Sequence, residues 1–296
     1  MTGRLTRRPG GPARLRALLE SAETIVAPGA FDPLAARLVE EAGFPAVYMT
    51  GFGTSAALLG RPDVGLLTMT EMAGNAARIA GCVDIPVIAD ADTGYGNALN
   101  VIRTVGSYEA AGVAGIHIED QVAPKKCGHM EGKLVIPAEE MAAKVRAAVE
   151  ARSQPEFVII ARTDARAVEG LDRALARARM YRDAGADVLF IEALVSEAEV
   201  EQAALAFPSV PLLFNWAEGG KTPPVSLARL TELGYRIVIF PIGTLLAATA
   251  AMRAVLAEIT RAGTPAAALA GLPSFADFAD FIGLPQVREA EQRYAT

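Results

Sequence analysis

The chain holds only two cysteines, two histidines and one tryptophan in 296 residues. Cys82 and Cys127 are too few for a disulfide framework, which suits a reducing cytoplasm. Two Cys and two His, widely split, give no zinc-ligand spacing. Positive charge is also short: the net charge of −6 argues against nucleic acid as the main partner, because phosphate binding asks for a basic surface. No unbroken apolar run reaches the length of a membrane span. The alanine-rich stretch 245–257, interrupted by Thr249 and Arg253, reads as a packed helix. The N-terminus is rich in Arg, Gly and Pro and lacks an apolar h-region. It reads as a disordered lead-in over 1–14, with an organellar transit peptide as the alternative. A soluble, cytoplasmic protein is expected.

What is present points to one large fold. Apolar residues make up 52% and charged residues 21%, a globular composition. Short apolar runs recur at 24–27, 46–50, 86–91, 115–119, 157–162, 188–192, 212–215 and 237–241, with amphipathic segments such as 138–152 and 171–184 between them. Gly185 follows the second of these segments, where a helix C-cap is expected. Apolar strands alternating with helices indicate a parallel sheet covered on both faces. The runner-up, a doubly wound sheet, wants a glycine-rich phosphate turn after the first strand, and Ala27-Pro28-Gly29-Ala30-Phe31 is no G-x-G-x-x-G. Polar residues instead close many of the runs: Thr50, Asp90, Asp92, Glu119, Arg162, Asp164, Glu192 and Asn215. A (β/α)8 TIM barrel gathers such ends onto one face, so the expectation is a barrel over 15–256. Beyond it, Gly263, Pro265, Gly271, Pro273 and Pro285 break 257–296 into a C-terminal helical arm that docks on the barrel or on a neighbouring subunit.

Several residues could carry chemistry. Asp90 and Asp92 alternate on one strand end and repel one another unless a cation neutralises them. Oxygen ligands alone suggest Mg²⁺; capping aspartates in a loop are the plainer alternative. Asp63 is a third member or a turn residue. His117 and Glu119 share a face, with His117 one layer deeper as an orienting group. The run from Glu119 to His129 packs carboxyls, lysines, a thiol and an imidazole behind one strand. Lys125, Lys126 and His129 would lower the Cys127 thiol pKa, so that it could act as nucleophile or as acid/base. Arg162 could clamp a carboxylate through its planar fork. Glu192 could pair with it or hold a metal-bound water. The segment 218–223 is a flexible polar loop that could close over a ligand, or an ordinary surface loop. Together these suit enolate chemistry on an α-keto acid.

The motifs Ala91-Asp92-Thr93-Gly94-Tyr95-Gly96-Asn97, Glu119-Asp120-Gln121, Lys125-Lys126-Cys127-Gly128-His129, Ala161-Arg162-Thr163-Asp164-Ala165 and Glu218-Gly219-Gly220-Lys221-Thr222-Pro223 closely resemble the isocitrate lyase / phosphoenolpyruvate mutase superfamily. The resemblance covers nearly the whole chain, and the Lys-Lys-Cys-Gly-His block is like that of the lyase branches. It implies a Mg²⁺ site (Mn²⁺ as substitute) at Asp90 and Asp92, with Asp63 in its outer shell. It implies a carboxylate cradle of backbone N–H groups at Thr50, Gly51, Phe52 and Gly53. It implies that His117, Glu119, Arg162, Glu192 and Asn215 surround a pyruvyl unit. Lys125 to His129, with Gly128 inside, would form a gating loop with Cys127 as proton donor. It further implies a last helix swapped between subunits in a homotetrameric dimer of dimers, and a small carboxylate substrate. Glu218-Gly219-Gly220 stands where 2-methylisocitrate lyases carry Glu-Phe-Gly, and Trp216 where Met or Ile is usual. Both departures favour a smaller 2-alkylmalate over a tricarboxylate. Phosphonate rearrangement and oxaloacetate decarboxylation are the other reactions implied.

Overall fold

The computed structural model describes residues 10–128, 130–220 and 222–295. Eight parallel strands, β1 (Ile25–Ala30), β2 (Val47–Met49), β3 (Val87–Asp90), β4 (Gly115–Glu119), β5 (Val158–Thr163), β6 (Val188–Ile191), β7 (Leu212–Asn215) and β8 (Tyr235–Phe240), close into a barrel in chain order, β8 pairing with β1. Helices follow the strands around the outside, as the alternation of apolar runs and amphipathic segments requires. The expected strands are all found, displaced by one to three residues at some ends where the apolar pattern does not mark the last ladder bond.

Side chains alternate along each strand, so one set points to the barrel axis and the other to the helices. Ile88, Ile160, Phe190 and Leu213 belong to the inner cluster, while Ala89, Ile159, Leu189 and Leu212 belong to the outer one. Two residues further along the inner set come Asp90, Arg162, Glu192 and Asn215. This period of two places the polar strand ends over the top of a sealed apolar plug. The opposite end is stoppered by the helix Gly11–Glu20, whose Leu15 is fully buried against the inner cluster. Arg16 anchors that helix to Asp187 at 2.8 Å. Residues 11–14, expected within a disordered lead-in, form its first turn because Pro12 suits a helix start. Truncating Leu15 to Ala would cost about 2–5 kcal/mol.

The chain divides into two compact units after Thr244. The second comprises most of the helix Gly243–Ala262, then a 3₁₀ turn and the helices Phe275–Phe281 and Leu284–Tyr294. The stretch expected to pack is instead a 20-residue helix with no buried residue, long and apolar enough by composition to cross a membrane. Its sequence shows apolarity but not what covers it.

Candidate active site

The cavity at the C-terminal mouth of the barrel has about 240 Å³ of free volume. Tyr48, Thr50, Gly51, Phe52, Asp63 and Asp90 line one side; Lys125, Cys127, Gly128, Arg162, Glu192 and Asn215 line the other. Residues from six of the eight strand ends therefore meet in a space the size of a small organic acid.

β3, β4 and β5 carry the charged centre. Strand register sets Asp90 beside His117 and Glu119 beside Arg162. The Arg162 guanidinium forks onto Asp164, Nε at 3.0 Å and Nη2 at 3.1 Å, and also faces Glu119 at 3.2 Å and Glu192 at 3.5 Å. It stacks 5.0 Å over the Phe190 ring as well. One cation among three carboxylates cannot keep all of them ionised equally. Burial works to raise the Asp164 pKa, but Arg162 and Lys133 outweigh it and hold that carboxyl well below the usual range. Glu119 is pushed well up, by burial and by the Asp164 charge, although Arg162 opposes this. Arg162 itself stays charged.

Across the cavity the acidic cluster surrounds a lysine. Lys125 Nζ lies 2.6 Å from Asp63 and 2.8 Å from Asp92. Burial alone would lower the Lys125 pKa, yet Asp92, Asp90 and Asp63 drive it well above the ordinary value. Burial raises Asp92 to about 6, helped by Asp90 and Asp63 and opposed by Lys125. Burial also acts to raise Asp90, but His117, Lys125 and Arg162 bring it below the usual carboxylate value. His117 is fully buried, and burial lowers it to about 4, so the imidazole is neutral. Its Nε2 pairs with the Tyr48 hydroxyl at 2.9 Å.

The donors fit a hard divalent cation, since Asp63, Asp90 and Asp92 offer oxygen only. An ammonium clasped by two of these carboxylates marks a place built for positive charge. Among the described residues no three His, Cys, Asp or Glu side chains form a ready metal cluster, and Lys125 holds the carboxylates instead. Asp92 has a left-handed backbone at φ 47°, a strained conformation for a non-glycine residue that aims its carboxylate.

The segment 50–53 begins the helix Gly51–Leu59, whose N-cap is Thr50. The Thr50 hydroxyl accepts from the Gly53 N–H at 3.2 Å. That bond commits one of the N–H groups expected to receive a carboxylate. A β-carbon on Gly51 would collide with the Asp90 carboxylate, so glycine is required there. Glu119 and His117, expected around the substrate, do not line the cavity: Glu119 faces Arg162 at 3.2 Å, and His117 pairs with Tyr48 and lies 3.5 Å from Asp90. The loop that carries Cys127 is pinned across its base, Gln121 bridging Val135. The Gln121 amide donates both to Glu119 at 2.9 Å and to the Lys126 carbonyl at 2.8 Å. His129 and Lys221 lie outside the described residues. Glu218 is not free to close over a ligand: its carboxylate accepts from the N–H groups of Ile242 and Gly243 at 3.1 and 2.7 Å. Tyr48 and Lys133 had no motif to mark them, and Gln121 stood in the Glu119-Asp120-Gln121 motif without a role of its own. Tyr48 could have been found from its inward register; Lys133 lies in a loop with no period.

An arginine among three carboxylates, a cluster of aspartates around a buried lysine, and a thiol share one barrel mouth. Residues 15–260 match the phosphoenolpyruvate phosphomutase family, and the chain belongs to it. It is 49% identical over 284 residues to a 2,3-dimethylmalate lyase of Eubacterium barkeri, spanning 96% of this chain and 98% of that one. It is 51% identical over 237 residues to a probable 2-methylisocitrate lyase of Corynebacterium glutamicum, spanning 80% and 77%. A solved structure of phosphonopyruvate hydrolase in complex with oxalate and Mg²⁺ superposes with TM-score 0.88 at 35% identity, covering 97% of this chain and 99% of that one.

Proposed function

We propose that this chain is a Mg²⁺-dependent carbon–carbon lyase that cleaves a 2-hydroxy di- or tricarboxylate of the 2-alkylmalate, 2,3-dimethylmalate or 2-methylisocitrate type. The observation that carries it is the loop bearing Cys127 laid over Arg162 and Glu192 in one cavity with Asp90. Two relatives at about half identity bear lyase names, which supports the same reaction.

Asp90 and Asp92, backed by Asp63, would hold the cation; Mn²⁺ suits the same oxygens. When bound it supplies Lewis-acid polarisation of the keto-acid oxygens. The chain's own groups do the rest. The 2-hydroxyl loses its proton as the C2–C3 bond breaks, and the bonding pair passes to C3, giving a keto acid and a carboxylate enolate. The Cys127 S–H protonates that carbon, and the thiolate left behind is reset by the proton released from the hydroxyl. Arg162, held in register by Asp164, stabilises the carboxylate charge through its fork. Tyr48 and neutral His117 fix Asp90. The apolar plug below and the loop above keep water from the enolate.

The exposed helix Gly243–Ala262, with Leu246, Met252, Leu256 and Ile259 at its surface, fits a cover from a second copy of the chain in a swapped homotetramer. The expected setting is the cytoplasm. Incubation with Mg²⁺ and a panel of 2-alkylmalates, 2,3-dimethylmalate and 2-methylisocitrate tests the reaction by keto-acid release. Release from any member supports it; silence across the panel overturns it.

A further inference from the structure

A lysine with 2% of its side chain exposed sits in the loop that carries the thiol. Burying an ammonium within a polar loop is unfavourable unless its partners are fixed. Lys133 has two such partners. Its Nζ donates to the Gly128 carbonyl, one residue past Cys127, and to Asp164 Oδ1 at 2.7 Å.

Asp164 is a rigid post. Its N–H donates to Asp120 at 2.8 Å, and Asp120 in turn is held by the Thr163 hydroxyl at 2.7 Å and the Tyr181 hydroxyl at 2.8 Å. The same Asp164 oxygen that receives Lys133 also receives Arg162 Nη2 at 3.1 Å. Gly128 lies flat on the site: a β-carbon there would stand 2.6 Å from Arg162 Nη2 and 2.8 Å from the Glu192 carboxyl carbon. At the loop base, Val122 donates to the Leu134 carbonyl and Ile136 to the Asp120 carbonyl, each at 2.9 Å. The base is thus closed by backbone bonds; at the tip the Cys127 N–H donates to the Asp63 carbonyl at 3.1 Å, and Lys133 adds a side-chain tie from Gly128 to the barrel.

We propose that Lys133 is a latch, a positioning residue that holds the Cys127–Gly128 tip over the cavity by bridging Gly128 to Asp164. Because Arg162 and Lys133 share one Asp164 oxygen, a ligand that draws the guanidinium toward itself strengthens Asp164 as acceptor for the latch. Loop closure is thereby linked to occupancy of the arginine. The latch rests on the reading of Cys127 as proton donor.

Hydrogen exchange with mass spectrometry on Lys133→Ala tests it, read alongside kinetics. Amides of 125–128 are expected to exchange about tenfold faster while the β5 peptide is unchanged. kcat should fall about tenfold with KM little altered, and Lys133→Arg should recover part of both. Unchanged exchange at the tip overturns the latch, as does an equal rise throughout the barrel. If Lys133→Ala does not fold, Lys133→Gln, which keeps a donor of shorter reach, should show the same pattern in weaker form, and its absence overturns the latch equally. Faster tip exchange in a protein that cleaves no substrate would keep the latch and discard the lyase reading.

Discussion

The Lys125 ammonium lies 2.8 Å from Asp92, with Asp63 on its other side at 2.6 Å. A buried lysine is therefore the counter-charge of the acidic cluster. Both partners are almost fully shielded from water, so the pair cannot be broken without leaving an uncompensated charge.

Replacing that lysine should separate its two roles. Lys125→Met is expected to lower stability by about 3 kcal/mol, because Asp63, Asp90 and Asp92 then repel without relief. Added Mg²⁺ should restore part of the loss, since a divalent ion can take the vacated charge. Calorimetry with and without Mg²⁺ reads both effects. A melting temperature that ignores Mg²⁺ would contradict the cation site.

The buried imidazole makes stability depend on pH. His117 titrates near 4 in the fold against 6.5 ordinarily. Between those values the unfolded chain takes up a proton that the folded chain refuses, so stability falls as pH drops from 6.5 to 4. The contribution is about 3 kcal/mol. Asp92, raised to about 6, acts in the opposite sense, gaining stability on acidification over 6 to 4. The difference in unfolding free energy between the wild type and His117→Gln should therefore shrink by about 3 kcal/mol from pH 6.5 to pH 4. Urea titrations at the two pH values measure it, and a constant difference would refute the neutral buried imidazole.

The glycine over the arginine can be tested with one methyl group. Gly128→Ala places a carbon within 2.6 Å of Arg162 Nη2 and 2.8 Å of the Glu192 carboxyl carbon, so the loop tip or those two side chains must shift. Turnover is expected to fall by about 10²-fold, as misplacement of a catalytic group by an ångström does. Circular dichroism should be unchanged. Undiminished turnover would show that the tip does not need its seat on Arg162.

The thiol is the sharpest chemical test. Cys127→Ser should reduce kcat by about 10²–10⁴-fold, the usual worth of a positioned proton donor. Mg²⁺ binding, followed by titration calorimetry, should persist because the thiol lies outside the carboxylate cluster. Normal turnover would remove Cys127 from the mechanism.

Much of the site was legible because strand chemistry is local. Asp90, Arg162, Glu192 and Asn215 each follow an apolar inner residue by two positions, and that spacing alone aims them at the axis. Thr50 was legible only as a polar strand end; that its hydroxyl caps the helix Gly51–Leu59 is shown by the structure. Lys133 had no comparable signal: its partner Asp164 is 31 residues away, on a strand end, and nothing in the loop's composition pairs them. The segment 218–223 read either as a flexible loop or as an ordinary surface loop, and nothing local showed that the Glu218 carboxylate accepts from Gly243 at the start of the helix Gly243–Ala262, 25 residues on.

The sequence by itself determined the barrel, its apolar plug and the face on which the polar strand ends gather, because alternation within a strand and amphipathicity within a helix are set by neighbouring residues. Only the tertiary structure decided which charges neutralise which. Lys125 and Asp63 are 62 positions apart and meet through the stacking of two loops. Burial of that pair, of Lys133 with Asp164 and of His117 with Tyr48 removes the water that would otherwise screen them, and so sets the protonation states with which the site works.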